Sequence, residues 1–577
     1  SRSFGSGACL LPFRLSWLCP KWQGQAMEKP DSTFPADLQL VPWDPEVHAP
    51  CIGLINPKSG PRKGAPILEV CKRTDYYKDR VFDIMDVFKA SMESSKRAER
   101  YGEDFKNFRA MLNDAKAKSV EKNDPKFRPR LLCGGGDGTA SFALTIFFRI
   151  VQPDPDGGFP DTGNGFNWTD EELKLYFPAI IQMPLGTGND LGRALGWGAK
   201  YPGYGLCGGA SARGKRLRDW MDMAIRITTP IVNFDVWGLM PPPGQEEMGV
   251  KVCQLAVVKK VDGKKQCVMH EAAPVAPFLV FLYLSFGFIA HVASRFEPKR
   301  TKSQIQNKIV MGIKTAEILL GFRAVQLKRG MEGMTIENVP GEPDEKNGTN
   351  RYFPPRNGRK GGSYFDVGLM NANSFVGGQL HGRDRASCTQ RWCSCSGSRA
   401  DVDPTDGKAD FFRERLVPSI LKTGNRLQTD KKPGGTFKYE AAKGQGQFFQ
   451  FDGEGRFAFS PSGDEWNISV TCALTVPMVV PKGFKKHNEA PIEFKFCGST
   501  PEEVARIKAR MSKWASGALV KELNATVEEM KQVGIPVQGE QYPEDNEPVR
   551  ETPKTPKEEP KATGSTENSN PMGGTSL

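Results

Sequence analysis

Between residues 46 and 200, short apolar runs alternate with longer stretches in which apolar residues recur at helical spacing. The runs are too short for helices and rich in Ile, Leu and Val, which favours buried strands. The predicted strands are Cys51 to Asn56, Val81 to Met85, Arg130 to Gly134 and Pro178 to Pro184. The intervening stretches predict a long charged helix at about Val87 to Lys118 and an apolar helix at Ala140 to Val151. This alternation predicts an α/β fold over residues 46–200, with a parallel sheet and helices on both faces.

Downstream of residue 228 the pattern changes to shorter β-like runs interrupted by polar inserts, which predicts a second, mainly β accessory domain over residues 228–485. Its predicted strands are Asn233 to Gly238, Phe278 to Phe288, Tyr364 to Asn371, Gly446 to Phe451 and Trp466 to Thr475, with one long helix near Ser303 to Leu327. The uncharged stretch Val275 to Ala293 approaches the length of a membrane span. Its Pro277, Gly287 and mixed aromatic and β-branched residues favour a buried strand that ends at Gly287.

The two ends of the chain differ from both domains. We expect residues 1–45 to be a disordered leader, and residues 536–577, with repeated Pro, Glu, Thr and Ser, to be a disordered tail. A C-terminal helix is predicted over residues 499–533, because Thr500 to Glu503 is a capping box with Pro at the first helical position. Its basic, amphipathic part, residues 502–523, either lies on an anionic leaflet or packs on the body with its charges in solvent.

Charge and cysteine usage indicate which partners and which redox environment the protein suits. The formal net charge is +12 although the tail is acidic, so the body of the protein is strongly basic. Such an excess suits nucleotide phosphates, nucleic acid or an acidic membrane leaflet, and a solvated basic surface explains it equally well. Most of the thirteen cysteines stand singly in apolar runs, as Cys133 and Cys472 do. This usage is typical of reduced thiols in a cytosolic protein.

Candidate chemistry lies in three glycine-rich loops, each of which follows a predicted strand: Asn56 to Gly60, Gly134 to Thr139, and Leu185 to Asp190. In an open α/β sheet, ligands bind outside the carboxyl ends of the strands. Glycines there let backbone N–H groups approach phosphate oxygens, and helices that begin in the same loops favour anions. One such loop alone is more often a tight turn with a capping residue. Three at consecutive strand ends predict a phosphate-binding crevice.

The predicted nucleotide contacts in these loops are Asn56, Lys58, Ser59, Gly135, Gly136, Gly138, Thr139, Gly186, Thr187, Gly188 and Asn189. Lys58 would add positive charge near a transferring phosphoryl group. Asp137 and Asp190 are the predicted ligands of Mg²⁺, through carboxylate oxygens and water.

Several of these motifs occur together in one known family. They are Asn56 to Gly60, Val81 to Asp83, Gly135 to Thr139, Pro184 to Arg193 and Leu195 to Gly198, followed by Tyr283 to Val292, Asn307-Lys308, Asp406 to Lys408 and Phe451 to Glu454. Together they resemble the catalytic and accessory domains of eukaryotic-type diacylglycerol kinases, over roughly residues 48–480. The Gly-Gly-Asp-Gly-Thr run alone is shared with NAD kinases, phosphofructokinases and sphingosine kinases. Asp190 after Gly-Asn favours diacylglycerol kinases over sphingosine and ceramide kinases.

The resemblance implies a Rossmann-like nucleotide domain that binds ATP and Mg²⁺. The hydroxyl of diacylglycerol in a membrane would attack the γ-phosphoryl group, giving phosphatidic acid in lipid signalling. Glu454 and Asp137 are alternative candidates for the catalytic base, and Asp452 is a further catalytic candidate beside Glu454. Taken alone, the Asp452-to-Gly455 run is typical of a β-turn. The expected partners are diacylglycerol and an anionic membrane surface, not nucleic acid, and the expected location is cytoplasmic with peripheral membrane association.

One position departs from the family pattern. Ile289 stands where the family places Asp after Ser-Leu-Gly-Phe. This departure keeps open a catalytically dead regulator that binds nucleotide or lipid. A kinase for another lipid alcohol, a sphingoid base or ceramide, is a separate alternative.

Overall fold

The computed structural model of the chain describes most of the predicted domains. The described residues are 34–59, 63–92, 102–151, 168–203, 209–242, 244–261, 264–272, 278–301, 304–320, 334–337, 366–374, 380–384, 403–414, 425–432, 434–439, 446–462, 466–484 and 491–538. Almost all of the predicted tail lies outside them, as do residues 1–33, so predicted disorder at the two ends stays a prediction.

Four parallel strands form the N-terminal part of the first sheet. They are β1 (Cys51–Ile55), β2 (Val81–Asp83), β3 (Arg130–Gly135) and β4 (Ala179–Pro184). They pair in the order β2-β1-β3-β4, with every pair parallel. Every residue of β1, β3 and β4 is buried, as expected for strands covered on both faces. The predicted parallel sheet is confirmed, and the carboxyl ends of β1, β3 and β4 lie side by side.

The helices of this region connect the strands. They are α1 (Gly64–Lys72), α2 (Asp75–Lys78), α3 (Ile84–Met92), α4 (Glu103–Lys122), α5 (Gly138–Val151), α6 (Asp170–Tyr176), α7 (Asp190–Ala194) and α8 (Ala210–Ile225). The single helix predicted from Val87 to Lys118 is wrong, because α3 and α4 are separate. The Gly102 N–H donates to the Ala90 carbonyl (2.9 Å), so the chain turns back before α4 begins.

Fifteen further strands are described. They are β5 (Ile231–Met240), β6 (Lys251–Val261), β7 (Lys264–Glu271), β8 (Leu279–Val280), β9 (Tyr283–Gly287), β10 (Met334–Glu337), β11 (Asp366–Met370), β12 (Leu380–Asp384), β13 (Ala409–Glu414), β14 (Asn425–Lys432), β15 (Gly434–Tyr439), β16 (Gly446–Phe451), β17 (Glu454–Phe459), β18 (Trp466–Val479) and β19 (Lys495–Phe496).

Some of these later strands extend the first sheet. Strand β18 pairs parallel with β4 and antiparallel with β5 and β15. With β8, β10 and β19 they bring this sheet to ten strands. Two strands predicted for the accessory domain, Asn233 to Gly238 and Trp466 to Thr475, therefore lie in the first sheet. The domain limits near residues 200 and 228 stay a prediction, since the sheet draws on both sides of them.

The other nine strands form a second sheet in the order β12-β14-β13-β11-β9-β16-β17-β6-β7. Its pairs are antiparallel except for β12 with β14. This sheet confirms the prediction of a mainly β region after residue 228. Strand β9 lies near its centre and ends at Gly287, as predicted, where φ is +116°. The chain then turns into α9 (Phe288–Phe296), and α10 (Gln304–Leu320) follows.

The C-terminal helix predicted over 499–533 is three helices: α11 (Pro501–Ala515), α12 (Ala518–Leu523) and α13 (Val527–Gln532). The first break follows from Gly517, which adopts φ +81°, a conformation that ends helices. In α11, Ile507, Met511 and Trp514 are buried in the main core. Of the two alternatives for this helix, the structure therefore shows the packed one. No helix among the described residues has the length and apolar character needed to cross a membrane.

The leader predicted over residues 1–45 extends too far, because its last part is packed. Leu40 is 3% exposed, and its N–H donates to the Thr74 hydroxyl (3.0 Å). The Trp43 ring stacks on Tyr76 with centroids 4.7 Å apart. Apolar residues before β1 thus cover the helices that flank it.

Candidate active site

The first wall of the site is the turn from β3 into α5. Strand β3 ends at Gly135 and α5 begins at Gly138, so Gly136 and Asp137 form the turn. A Cβ on Gly135 would lie 1.9 Å from the Thr139 hydroxyl, so no larger residue fits there. A Cβ on Gly136 would meet a single atom within 4 Å, the Cα of Gly186 at 3.6 Å. The backbone of Gly136 therefore borders open space at the helix N-terminus.

The loop after β4 packs directly on this turn. The N–H groups of Leu185 and Gly186 both donate to the Gly135 carbonyl (2.9 and 3.2 Å). A Cβ on Gly186 would lie 2.5 Å from the Gly136 Cα, so the close approach of the two backbones requires glycine. Asn189 has φ +52° and donates its amide to the carbonyls of Gly186 (2.9 Å) and Ala199 (2.7 Å). Asn189 thus holds the shape of this loop with its side chain.

The loop after β1 completes the crevice floor. The Asn56 N–H donates to the Gly134 carbonyl (2.8 Å), which ties this loop to the end of β3. The Asn56 side chain accepts from the Lys58 N–H (2.9 Å), and the Ser59 N–H donates to the Asn56 carbonyl (3.1 Å). The Lys58 side chain is exposed. Gly60, the last residue of the motif, lies outside the described residues.

A pair of carboxylates lies beneath these loops. The Asp137 carboxylate accepts from the Leu191 N–H (2.9 Å). Asp190 is buried and accepts from the hydroxyls of Ser374 (2.5 Å) and Tyr283 (3.4 Å). A Cβ on Gly188 would lie 3.1 Å from one Asp137 oxygen and 3.4 Å from one Asp190 oxygen. The two predicted metal ligands are therefore neighbours below Gly188.

The electrostatics of this pair are unfavourable without a counter-charge. Removal from water, and then the charge of Asp190, raise the pKa of Asp137 to about 7. The N–H groups of Leu191 and Asp190 oppose this rise. A divalent cation near both carboxylates would remove the repulsion. No group of three or more His, Cys, Asp or Glu residues suited to a metal occurs in the part of the chain that the structure describes. Two carboxylates suit Mg²⁺, which takes its other oxygens from phosphates and water.

The second sheet contributes the opposite wall through the turn between β16 and β17. One Glu454 oxygen lies 3.0 Å from the position that a Cβ on Gly138 would occupy. Its other oxygen accepts from Arg456 (3.1 Å), and 43% of the side chain is exposed. Thus two residues far apart in the chain, Gly138 at the start of α5 and Glu454 at the start of β17, face each other.

Asp452, in the same turn, has a different environment. Its carboxylate accepts from the backbone N–H groups of Phe281 (2.9 Å), Leu282 (2.8 Å) and Tyr283 (3.2 Å). Its own N–H donates to the Tyr283 carbonyl (3.0 Å). Burial raises the pKa of Asp452 to about 7 against these three hydrogen bonds. Asp452 therefore joins the turn to the chain between β8 and β9.

Three residues of the site carry no role in the sequence prediction. Tyr283 and Ser374 hold Asp190, and Asn307 on α10 donates to the Thr187 hydroxyl (3.3 Å). Tyr283 and Asn307 stand within motifs that resemble the family, which was the available signal. Ser374 has no sequence signal.

Ile289 occupies the first turn of α9 and packs in the main core. Its N–H donates to the carboxylate of Asp366 on β11 (2.6 Å). A carboxylate thus lies beside this position, although it comes from another strand.

The site defines a class of protein. The sequence model of a family described as "Diacylglycerol kinase catalytic domain" matches residues 51–207, which hold β1, β3, β4 and the three glycine-rich loops. The chain therefore carries the catalytic domain of a lipid kinase. Residues 51–207 are thus similar to the catalytic domain of diacylglycerol kinases, in agreement with the resemblance of the motifs.

Individual relatives match over part of their length. Diacylglycerol kinase 7 of Arabidopsis thaliana is 29% identical over 180 residues, 30% of this chain and 30% of that protein. The eye-specific diacylglycerol kinase of Drosophila melanogaster is 28% identical over 221 residues, 36% of this chain and 12% of the fly protein. A crystal structure of a diacylglycerol kinase from Bacillus anthracis str. Sterne matches at 10% identity and TM-score 0.28, over 76% of this chain and 99% of that one. The chain spans less than a third of the length of the plant and fly relatives.

Proposed function

We propose that this protein transfers the γ-phosphoryl group of ATP to the free hydroxyl of diacylglycerol, giving phosphatidic acid and ADP. The observation that carries the proposal is the approach of Glu454 to Gly138, which places a partly exposed carboxylate beside the glycine loops and the acidic pair. Phosphoryl transfer mainly requires positioning and charge neutralisation, with one group to accept the hydroxyl proton. All three requirements have candidate residues in this crevice.

In the proposed mechanism, the open space beside Gly136 and the N-terminus of α5 receive the phosphates. Asp137 and Asp190 would hold Mg²⁺, which would supply positive charge to offset that of the phosphates. The oxygen of the lipid hydroxyl bonds to the γ-phosphorus, and the bond from that phosphorus to the oxygen of ADP breaks. Glu454 accepts the proton of the hydroxyl. Asp137 is the weaker candidate base, because a backbone N–H and Asp190 already engage its carboxylate. Asp452 has a structural role in this mechanism.

The substrate must be reached in a membrane, so we propose a cytoplasmic enzyme that associates peripherally with an anionic bilayer. The basic body of the chain supports this association. Ceramide or a sphingoid base is the alternative substrate, and a regulator without turnover is the alternative function.

The test measures transfer of labelled phosphate from Mg-ATP to diacylglycerol in mixed micelles, with ceramide and sphingosine in parallel. Wild type should yield phosphatidic acid as its main product. The Gly136→Asp variant should bind ATP far more weakly and yield none, because its side chain enters the open space for the phosphates. Gly209→Asp is the matched control, since a Cβ there meets nothing within 4 Å and Gly209 precedes α8, where Asp is a good cap.

Each outcome decides between the alternatives. If ceramide or sphingosine is phosphorylated and phosphatidic acid is not formed, the lipid that is phosphorylated replaces diacylglycerol as the proposed substrate. ATP binding without any product would support the regulator and make Ile289→Asp the variant to test next.

A further inference from the structure

Helix α10 presents an apolar stripe to solvent. Ile309 is 57% exposed and Ile313 is 51% exposed, one helical turn apart. Gly312 and Ala316 lie on the same face and are exposed too. Among the large apolar side chains that are exposed in the described residues, these two alone share a helix face; the others are Val120, Leu175 and Val257. Exposure of two neighbouring Ile side chains to water is unfavourable, and burial against a partner would remove that cost.

The opposite face of α10 is fixed to the active site. Asn307 is buried and donates to the Thr187 hydroxyl, in the loop after β4. Asn307 also accepts from the Thr301 N–H (2.6 Å), which anchors the start of the helix. Ile318 is buried in the main core near the other end. Because a helix is about 10 Å across, the apolar stripe lies roughly one helix diameter from the loop after β4 that Asn307 contacts.

Helix α10 and the segment just before it carry a net positive charge. Residues 297–320 contain five basic and two acidic side chains. Both acidic groups are ion-paired: Glu317 with Arg295 and Lys314 (2.8 Å each), and Glu297 with Arg456 (3.4 Å). Lys299 and Arg300, just before the helix, are exposed. An apolar stripe on a segment with a net positive charge matches the interface of an anionic bilayer.

We propose that α10 is the membrane-docking element of this protein, with Ile309 and Ile313 inserted among the acyl chains of an anionic leaflet and Lys299 and Arg300 at its headgroups. The proposal rests on the proposed function, because a lipid substrate requires the crevice to face the bilayer. It also assigns docking to α10 in place of α11, whose large apolar residues Ile507, Met511 and Trp514 are buried.

The test separates docking from chemistry. Flotation with phosphatidylcholine vesicles, with and without phosphatidylserine, measures binding. Turnover of a short-chain diacylglycerol below its micelle concentration measures chemistry without a membrane. The double variant Ile309→Glu/Ile313→Glu should bind anionic vesicles at least about tenfold more weakly, while turnover of the soluble substrate stays at the wild-type value. Leu175→Glu, at an equally exposed apolar position on α6, should change neither.

Two further variants sharpen the result. Ile309→Trp/Ile313→Trp should bind more tightly, since Trp favours the interface. Lys299→Ala/Arg300→Ala should bind more weakly and with a smaller dependence on salt.

Unchanged vesicle binding by the double Glu variant would overturn the proposal. If that variant instead converts a wild-type dimer to a monomer in sedimentation, the stripe is a contact between copies and the proposal fails. Wild type that binds vesicles through the stripe without phosphorylating the soluble substrate would refute the proposed activity and leave the docking surface standing.

Discussion

Asp137 and Asp452, in two regions of the molecule, both have a pKa raised to about 7, and they differ in what surrounds the acid. At the ends of β3 and β4, Asp137 faces a second carboxylate, Asp190, and borders a crevice. In the turn between β16 and β17, Asp452 is surrounded by three backbone N–H groups of its own fold. A raised pKa therefore does not by itself identify a functional acid. Two carboxylates that repel each other beside an open space, as Asp137 and Asp190 do, indicate a site for a ligand. A carboxylate whose oxygens accept hydrogen bonds from the backbone, as Asp452 does, indicates a structural role.

The largest expected effect concerns the first region. Asp137→Asn should lower kcat/KM for diacylglycerol by about 10³-fold, because a charge that positions the metal and phosphates is lost. The melting temperature should not fall, since the repulsion with Asp190 is also removed. Steady-state kinetics and thermal melts of the same preparation measure both. A melting temperature many degrees lower would show that Asp137 is structural, and the contrast with Asp452 would vanish.

The second effect concerns the residue that links the two regions. Glu454→Gln should lower kcat by about 10²-fold with little change in ATP affinity, as expected for loss of a proton acceptor. Glu503→Gln, on the first turn of α11, is a control for the same change elsewhere. Rapid-quench measurement of the chemical step, together with nucleotide titration, gives the two quantities. Full activity of Glu454→Gln would return the role of base to Asp137.

The third effect concerns stability. Asp452→Ala should lower the free energy of unfolding by about 2–4 kcal/mol, because three buried N–H groups lose their acceptor. Urea unfolding provides the measurement, and Asp406→Ala, an exposed acid in another turn, provides the control. A variant with native stability and no activity would place Asp452 among the catalytic residues.

The smallest effect is a dependence on pH. The folded-state pKa of Asp137, about 7, exceeds the ordinary value of 3.8. Folding therefore favours the protonated acid, and this stabilisation is complete below about pH 4 and lost as the pH rises through 7. The stability of Asp137→Asn relative to wild type should thus rise by roughly 2.5 kcal/mol between pH 5 and pH 8. Parallel urea titrations at the two pH values test it, and a constant difference would refute the raised pKa.

The sequence predicted the first region better than the second, for physical reasons. Asp137 and Asp190 directly follow strands that a local apolar pattern reveals, and parallel strands bring their carboxyl ends together. The approach of Glu454 to Gly138 depends on how the second sheet packs on the first, which no local pattern encodes. Ser374 holds Asp190 from a segment with no motif.

The sequence prediction missed helix ends where a glycine stands inside a stretch whose apolar residues recur at helical spacing. Gly517 stands inside a helical pattern, yet its left-handed conformation separates α11 from α12. Leu40 and Trp43 lie in a segment broken by Pro35, Pro42 and Pro45, which shows no helix or strand pattern, so their packing before β1 could be found only from the folded chain.

The position of β18 has a consequence for biosynthesis. Strand β4 receives its parallel neighbour from residues 466–479, so the first sheet has an open edge until most of the chain has left the ribosome. Strand β4 is buried in the folded protein, so in an incomplete chain its apolar residues and unpaired backbone groups are exposed. Such an edge pairs with other chains. A fragment that stops soon after residue 200 should therefore aggregate, although it carries all three glycine-rich loops. The sheet that holds residues 51–207 can be completed only after residues 466–479 have been made.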